Sequence, residues 1–382
     1  MYKKITVWGM SLVVVAMVLA SCAPAAAPTA APVAPAAPVA TTAPAQKGLC
    51  KPEEIRYVQS MREMAQPYHA GLDKGGKLFV EWVGASPDQY VLQLNQGDSD
   101  KQVSLMSSIL AENAKCSVFN IEPNADTVIP RMVDVGQETG AYVVGHWAAP
   151  EGYYPFSHDH YAAMVSVNSF EAGYQLAVGL FKAMGGKGNI FAVEGFQATS
   201  VAMDRYDGLQ KALKEYPDII LLEHQPADWD RKLAFPIVQT WLTKHPDVNG
   251  IWAANDDMGL GALEALREKG LAGKVLVAGI DGIPEAVKAV KDGEFAMTIA
   301  SDATYQGSIG FALGYCLLTG EIPLPKDWKN EQRMFYLTLA VITKENVDKF
   351  LSDPKPADYE STWKCDGLWS RSTGPSYPEG AK

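Results

Sequence analysis

The sequence lacks an excess of positive charge and lacks the common hydrolase and redox signatures. Its 33 lysines and arginines are outnumbered by 44 aspartates and glutamates, for a formal net charge of −11. This balance argues against nucleic acid as a partner and leaves no basic patch for an anionic lipid surface. No GxSxG, HExxH or CxxC pattern occurs, so the sequence offers no support for an enzyme, and we predict no cofactor.

Long apolar runs are scarce, and the longest lies near the start of the chain. It covers residues 5–20 and follows two lysines, which predicts an export signal rather than a transmembrane helix. The tetrapeptide LASC that ends at Cys22 is similar to a lipoprotein lipobox, which implies cleavage before this cysteine and lipidation of its thiol. An ordinary signal peptide with a chance cysteine is the alternative. We therefore expect an extracytoplasmic protein, in the periplasm or on the outer face of the cell membrane, anchored through lipid.

Cysteine is also rare, and only four cysteines follow Cys22. In an exported and oxidising setting these can form disulfides. Cys50 and Cys365 lie just outside the two ends of the predicted folded region, so we predict a disulfide between them, although four cysteines allow three pairings. Cys116 precedes a predicted strand and Cys316 lies in an apolar helix, and both are predicted to be buried thiols.

The chain after the signal begins with a segment that cannot fold and ends with one that lacks periodicity. Residues 23–49 are mostly alanine, proline, valine and threonine, a composition that favours an extended tether. Residues 349–382 contain several prolines and tryptophans without a helical or strand repeat and are predicted to wrap around the fold as a tail. No helix-turn-helix precedes the first predicted strand, so a DNA-binding repressor is not supported.

Between these ends, short apolar runs alternate with amphipathic segments in two series. The first series has predicted strands at residues 55–60, 90–95, 118–121 and 141–145. The second starts near Val165 and continues with strands at residues 189–193, 219–222, 250–253, 275–280 and 295–300. Runs such as VLVAGI carry no polar side chain, as strands covered by helices on both faces require. The pattern predicts two doubly wound α/β lobes.

Three polar segments, QPADWDR, AANDDMGLGALEAL and VAGIDGIPEA, follow or contain apolar runs between residues 225 and 286. Polar residues at the carboxyl ends of successive parallel strands converge on the crevice in which such sheets bind small ligands. These segments therefore predict a protein that binds a small molecule.

At these motifs the chain closely resembles the periplasmic sugar-binding proteins of the ribose-binding protein type, over nearly all of residues 55–348. The resemblance implies the type I periplasmic binding protein fold, in which three strands cross between two Rossmann-like lobes and the sugar lies in the cleft. Crossings are then expected near residues 166–169, 300–303 and 339–343. The expected N-terminal lobe comprises residues 50–166 and 302–339, and the expected C-terminal lobe comprises residues 167–301 and 340–348.

The resemblance implies four ligand-binding residues in the second lobe. Arg205 in DRYDGL has a guanidinium that can donate two parallel hydrogen bonds to neighbouring hydroxyls. Trp229 in PADWD replaces a family aromatic, and its face can pack on a sugar ring. Asn255 in ANDD can donate and accept, whereas Asp281 in GIDG only accepts.

The first lobe departs from the ribose-binding pattern at almost every contact position. Loss of a family Asp-Arg pair removes two charged anchors and makes ribose itself an unexpected ligand. The residues at the matching positions, which we predict to contact ligand, are Gln66, Tyr68, His69, Glu122, His146, Trp147 and Ser301. Tyr68 and Trp147 add amphipathic aromatic surface, with core aromatics as the alternative interpretation.

Other polar groups have simpler interpretations. The aromatic loop at residues 148–163 is longer than the family pattern and is predicted to lie over or beside the cleft as a lid. Its His158 and His160 suggest zinc ligands, but neighbouring loop histidines are more often solvated, and we predict no metal site. Asp230 and Asp256 are predicted to be helix N-caps rather than ligand contacts.

Together these features predict the substrate-binding component of an ABC importer, a monomer that closes around a monosaccharide or cyclic polyol and then docks on permease subunits. A receptor that hands its closed form to a chemoreceptor or sensor kinase is an alternative. A nucleoside or another planar ring is an alternative ligand.

Overall fold

The computed structural model describes residues 48–376, without the side chain of Glu112. The predicted export signal, the lipidation of Cys22, nearly all of the tether and the end of the tail lie outside the described residues. Within residues 48–376, no helix is both long and apolar enough to cross a membrane.

The N-terminal sheet has seven strands in the order β13-β11-β5-β4-β3-β1-β2. The strands are β1 (Arg56–Met61), β2 (Tyr90–Leu94), β3 (Ser117–Ile121), β4 (Tyr142–His146), β5 (Tyr161–Ser166), β11 (Met334–Leu337) and β13 (Ser372–Pro375). All neighbours pair in parallel except β13, which runs antiparallel to β11 at the edge. Parallel pairing brings the carboxyl ends of β1 to β5 to one edge of the sheet.

The C-terminal sheet has six strands in the order β12-β10-β9-β8-β6-β7. They are β6 (Gly188–Glu194), β7 (Ile219–Pro226), β8 (Gly250–Ala253), β9 (Leu276–Asp281), β10 (Phe295–Ala300) and β12 (Ala340–Thr343). Only β12 is antiparallel to its neighbour. Like the first sheet, the second is therefore parallel except for one antiparallel strand at its edge.

Helices connect the strands and cover the faces of both sheets. They are α1 (Pro67–Trp82), α2 (Ser99–Asn113), α3 (Val128–Thr139), α4 (Ser169–Ala183), α5 (Ser200–Glu215), α6 (Arg231–Lys244), α7 (Asp256–Glu268), α8 (Pro284–Asp292), α9 (Ala303–Leu318), α10 (Asn330–Arg333) and α11 (Glu360–Trp363). Successive side chains of a strand point to opposite faces of the sheet, so the N-terminal lobe has a hydrophobic cluster on each face. Tyr57 belongs to one cluster and Val58 to the other. This two-sided burial explains why strands such as β4 and β5 consist mostly of apolar residues.

Three chain crossings connect the two sheets. The chain leaves the N-terminal sheet after Ser166, returns after Ala300, and crosses again between Leu337 and Ala340. Each sheet is consequently assembled from segments that are far apart in the sequence.

The tail packs on the N-terminal lobe. Trp363 is buried, and its ring lies 5.7 Å from Phe79 and 5.6 Å from Trp82 of α1. Its Nε1 donates a hydrogen bond to Ser308 Oγ of α9 at 2.8 Å. The aromatic side chains of the tail thus extend the core of this lobe.

The predicted disulfide between Cys50 and Cys365 is wrong, and so are the predicted free thiols. Cys50 pairs with Cys116, and Cys316 pairs with Cys365. The first pair forms because β1 lies beside β3, so the segments that lead into these strands are neighbours. The second pair forms because the tail packs on α9.

Candidate functional site

A cavity of about 80 Å³ lies between the lobes, at the carboxyl ends of strands from both sheets. This is room for roughly five to eight water-sized groups, which suits one small compact molecule. Nine residues predicted from the sequence line it: Gln66, Tyr68, His69, Glu122, Trp147, Arg205, Trp229, Asn255 and Asp281. Side chains from the two lobes therefore surround one shared space.

Two predicted ligand residues, His146 and Ser301, lie outside this lining. Both are fully buried in the described structure. His146 Nε2 lies 2.5 Å from Asn120 Oδ1 inside the N-terminal lobe, and burial lowers the pKa of His146 to about 3. Ser301 contributes its backbone instead, because its N–H donates to Asp281 O and its carbonyl accepts from Gln306 Nε2. These two residues support the walls and do not face the cavity.

Arg205 lies between two tryptophans, one from each lobe. Its guanidinium carbon is 5.1 Å from the Trp147 ring centroid and 5.4 Å from that of Trp229. Nη1 donates to Ala254 O at 2.6 Å, whereas the buried Nε has no hydrogen-bond partner among the described residues. Burial lowers the pKa of Arg205, and Asp281 opposes that shift. The guanidinium is therefore held between two aromatic rings. Its Nε–H remains able to donate a hydrogen bond to a ligand.

The Trp229 ring is placed by a close approach to the backbone of Gly195. A Cβ on this glycine would lie only 2.0 Å from the ring. Any other residue at position 195 would displace the indole, so glycine permits the position that Trp229 occupies.

Three cavity residues adopt the left-handed backbone region that non-glycine residues avoid. The φ angles are +66° at Trp147, +67° at Trp229 and +133° at Asp281. Each such residue costs about 1–3 kcal/mol and persists only where its surroundings hold it. The concentration of strain at one cavity is typical of a functional site.

Asp256 holds the strained loop that presents Asp281. This fully buried carboxylate accepts hydrogen bonds from Gly282 N at 2.8 Å, Ile283 N at 3.0 Å and Thr298 Oγ1 at 2.7 Å. Burial raises the pKa of Asp256 to about 7, against the effect of these bonds. The loop after β9 is therefore fastened to the start of α7.

The predicted N-cap role is thus wrong for Asp256. The N-cap of α7 is Asn255, whose Oδ1 accepts from Met258 N at 2.9 Å. Asn255 consequently has its amide N–H₂ and one remaining lone pair of Oδ1 to offer the cavity. Asp230 does cap α6, since its side chain accepts from Lys232 N at 2.6 Å.

Asp281 and Arg205 face the same space without joining each other. Burial raises the pKa of Asp281 well above its ordinary value, and Arg205 opposes this shift. Among the described residues, no ion pair within 4.0 Å connects their charged groups. A ligand hydroxyl between them could donate to the carboxylate and accept from the guanidinium.

His69 forms a charged pair on the opposite wall. Its Nε2 lies 2.8 Å from Glu122 Oε2, and its Nδ1 lies 3.5 Å from Glu63 Oε1. Burial alone would lower the pKa of His69, but Glu122 and Glu63 outweigh it and raise the pKa to about 10. The imidazole is therefore a cation at neutral pH and lies against the Glu122 carboxylate.

Gln66 contacts the opposite lobe directly. Its Nε2 donates to the backbone carbonyl of Trp229 at 2.8 Å. Arg62 Nη1 lies 3.5 Å from the preceding carbonyl, that of Asp228. The N-terminal lobe thus holds two consecutive carbonyls of a C-terminal-lobe loop, and the described lobes are in contact around the cavity.

Seven residues of the lining were not predicted from the sequence. They are Arg62, Pro123, Asn124, Ala148, Phe196, Thr199 and Val201. Arg62 directly follows β1 and Phe196 follows β6 by one glycine. Both obey the strand-end rule that located Asp281, so applying the rule to every strand would have found them.

The aromatic loop at residues 148–163, which was predicted to lie over or beside the cleft as a lid, begins beside the cavity and does not cover it. Tyr153 and Tyr154 pack on the cluster that contains α3, and only Ala148 of this loop lines the cavity. Arg333 Nη2 fastens the loop by donating to the carbonyls of His158 and Tyr161, both at 2.7 Å. Between residues 48 and 376, no group of three or more His, Cys, Asp and Glu side chains is placed to hold a metal ion.

Comparison with known proteins identifies the family. The sequence profile of the periplasmic binding protein domain matches residues 60–322. The chain belongs to this family. The resemblance to periplasmic sugar-binding proteins is therefore confirmed, and so is the predicted two-lobed type I fold.

Three relatives of the family are similar to the chain. The xylitol-binding protein of Mycolicibacterium smegmatis is 37% identical over 49% of the chain, and the match spans about half, 51%, of that relative's length. The D-allose-binding periplasmic protein of Escherichia coli is 28% identical over 67% of the chain and 82% of its own length. A crystal structure of a twin-arginine translocation pathway signal protein from Burkholderia phytofirmans covers 85% of the chain and 98% of its own, with a TM-score of 0.79 and 34% identity.

Proposed function

We propose that the protein is the extracytoplasmic substrate-binding component of an ABC importer and closes its two lobes around a neutral, polyhydroxylated molecule, a monosaccharide or a polyol. In this proposal the protein is a monomer that a lipid on Cys22 anchors to the membrane. The closed form docks on permease subunits.

The observation that carries this proposal is the unengaged hydrogen-bonding capacity of the cavity. Within the described part of the chain, Arg205 has a buried N–H without a hydrogen-bond partner, and Asn255 and the carboxyl group of Asp281 line the same space. Unpaired buried polar groups cost about 1–3 kcal/mol each. A ligand with several hydroxyls removes that cost, because each hydroxyl both donates and accepts.

The relatives support the same ligand class. One relative is named for xylitol, a linear polyol, and another for D-allose, a sugar. The two molecules share hydroxyl-bearing carbons and no net charge. We therefore assign the class of neutral polyhydroxyl compounds.

The arrangement of aromatic rings argues against a planar ligand held between the tryptophans. Trp147 of the N-terminal lobe and Trp229 of the C-terminal lobe both line the cavity, but the guanidinium of Arg205 lies against both rings. A nucleobase would have to displace this buried cation. A sugar needs only one exposed ring face and the donors beside it.

Isothermal calorimetry of the purified protein with D-allose, D-ribose, xylitol, myo-inositol and adenosine tests the proposal. We expect at least one sugar or polyol to bind, and at one hundred times its Kd it should stabilise the fold by about 2.7 kcal/mol. Asp281→Ala should abolish most of the heat. Binding of adenosine together with silence from all four polyhydroxyl compounds would overturn the ligand class.

A further inference from the structure

One contact between the lobes involves a helix that lacks a cap of its own. Asp126 follows β3 in the N-terminal lobe, and both of its carboxylate oxygens lie 3.2 Å from Ser200 N. Ser200 is the first residue of α5 in the C-terminal lobe. The carboxylate of one lobe therefore accepts a hydrogen bond from the amino end of a helix in the other.

The residue that should cap α5 is engaged elsewhere. Thr199 occupies the N-cap position, yet its hydroxyl donates to Phe196 O at 2.8 Å, and it makes no side-chain cap bond in the described structure. The first N–H groups of a helix need acceptors, and a negative charge there interacts favourably with the helix dipole. Asp126 supplies both the acceptor and the charge from across the cleft.

Helix α5 also carries part of the cavity wall. Val201 and Arg205 lie on it and line the cavity, whereas Asp126 is not among the described lining residues. Opening of the lobes would separate Asp126 from Ser200 and leave the amino end of α5 without this acceptor. The contact thus connects closure to the helix that positions Arg205.

We propose that Asp126 caps α5 across the cleft in the closed form and is a positioning residue that sets the affinity for every ligand without distinguishing among ligands. This inference rests on the proposed function, because it assumes that the cavity between the lobes binds the ligand. It assigns to Asp126 a share of the free energy of closure, and closure lowers the apparent Kd by a factor common to all ligands.

The first test compares Asp126→Ala with the wild type by calorimetry, using xylitol and D-allose as probes. Loss of a cap contact predicts about fivefold weaker binding, by the same factor for both probes. Asp126→Asn keeps an acceptor oxygen and should recover most of the affinity. A change in the preference between the two probes would show that Asp126 acts on the ligand and would overturn the proposal.

A matched control separates closure from ordinary helix capping. Asp98 caps α2 within the N-terminal lobe, where its side chain accepts from Lys101 N at 2.9 Å. Asp98→Ala should lower the melting temperature much as Asp126→Ala does and leave the affinity for both probes unchanged. Equal losses of affinity in the two variants would reduce Asp126 to a general structural role.

A second variant removes the donor instead of the acceptor. Ser200→Pro deletes the N–H at the first helical position, which proline favours, and Thr199 already has the extended backbone that a following proline requires. We expect the same roughly fivefold loss, and we expect no further loss when Asp126→Ala is added. Additive losses would mean that the two residues do not act through one contact.

Small-angle X-ray scattering without any ligand distinguishes this inference from the proposed function. Because the contact favours closure in the ligand-free equilibrium as well, Asp126→Ala and Ser200→Pro should each raise the radius of gyration above that of the wild type, whereas Asp98→Ala should not. If none of the sugars binds, the proposed function fails and scattering alone decides the role of Asp126. Identical scattering from all four proteins would overturn it.

Discussion

At the scale of single residues, the cavity holds charged side chains in positions that folding alone would not favour. Asp281 is buried with a strained backbone, and Arg205 is buried with an N–H that has no hydrogen-bond partner between residues 48 and 376. Such costs persist where a ligand later uses the groups. Substitutions here should therefore have opposite effects on stability and on binding.

Asp281→Asn should show this opposition. Because burial raises the pKa of Asp281, the charged carboxylate is unfavourable in the ligand-free fold, and the neutral amide should keep or raise the melting temperature. Sugar affinity should fall by about tenfold or more, since the amide cannot accept at both positions. Thermal unfolding and calorimetry of the same samples check the two signs. Unchanged affinity would remove Asp281 from the site.

Trp229→Ala should weaken sugar binding by roughly tenfold, because Arg205 loses one of its two aromatic neighbours and the ligand loses a ring face. Trp229→Phe keeps an aromatic face and should retain most of the affinity. Calorimetry with one sugar measures the affinities of both variants and of the wild type. Equal affinities for the alanine and phenylalanine variants would exclude the aromatic contribution.

The His69 ion pairs should make stability depend on pH. The pKa is about 10 in the folded protein and near 6.5 for an ordinary histidine, so the folded state binds more protons between these values. The free energy of unfolding from this group is complete below about pH 6.5 and falls as pH rises towards 10. Urea titrations at pH 7 and pH 9.5 should show a larger loss for the wild type than for His69→Gln. Equal losses in both proteins would mean that His69 does not carry this proton.

At the scale of elements, two disulfides and a set of caps fasten loops to the lobes. The pair Cys316 and Cys365 closes a segment of 49 residues and holds the tail against α9. In the chain-entropy account, a loop of that length contributes roughly 4 kcal/mol. The tail is therefore a structural part of the N-terminal lobe.

Replacement of Cys316 and Cys365 together by serine should lower the free energy of unfolding by roughly 2–4 kcal/mol. Urea unfolding under non-reducing conditions measures this difference. Mass spectrometry of non-reduced peptides should recover the linked pairs Cys50 with Cys116 and Cys316 with Cys365. Recovery of a peptide that links Cys50 to Cys365 would contradict the described pairing.

At the scale of the whole molecule, the tail reaches two of the three crossings between the lobes. Asp302, just after the second crossing, accepts from Tyr359 at 3.0 Å and pairs with Arg371 at 2.8 Å. The carbonyl of Arg371 accepts from Thr338 N in the third crossing at 3.3 Å. The tail, which packs as part of the N-terminal lobe, consequently braces two of the three crossings.

Arg371→Met should loosen this brace. Loss of the pair with Asp302 should speed hydrogen exchange about fivefold in peptides that span residues 300–306, since the amide of Tyr305 bonds to the same carboxylate. Peptides over the first crossing, residues 166–169, provide an internal control and should exchange at the wild-type rate. Equal acceleration of all crossings would indicate general destabilisation instead.

The candidate site was largely predictable because the polar segments at strand ends and the resemblance to sugar-binding proteins pointed to the same cavity. Asn255 and Asp281 stand where strands end, and parallel strands end at a common edge. The resemblance to the sugar-binding family also implied His146 at the end of β4, but the direction of its side chain depends on its partner Asn120 in the neighbouring strand. The end of a strand can be identified from the sequence. The direction of the side chain at that end depends on how it packs against neighbouring strands.

Periodicity alone established the alternating strands and helices and the two-lobed α/β architecture, because each element's buried face repeats within a few neighbouring residues. The disulfide partners, the direction of His146 and the contact of Asp126 with Ser200 were decided only by the tertiary structure. Each of these joins segments separated by tens of residues. Which distant segments meet depends on strand order and on the closing of the lobes, and no local pattern encodes either.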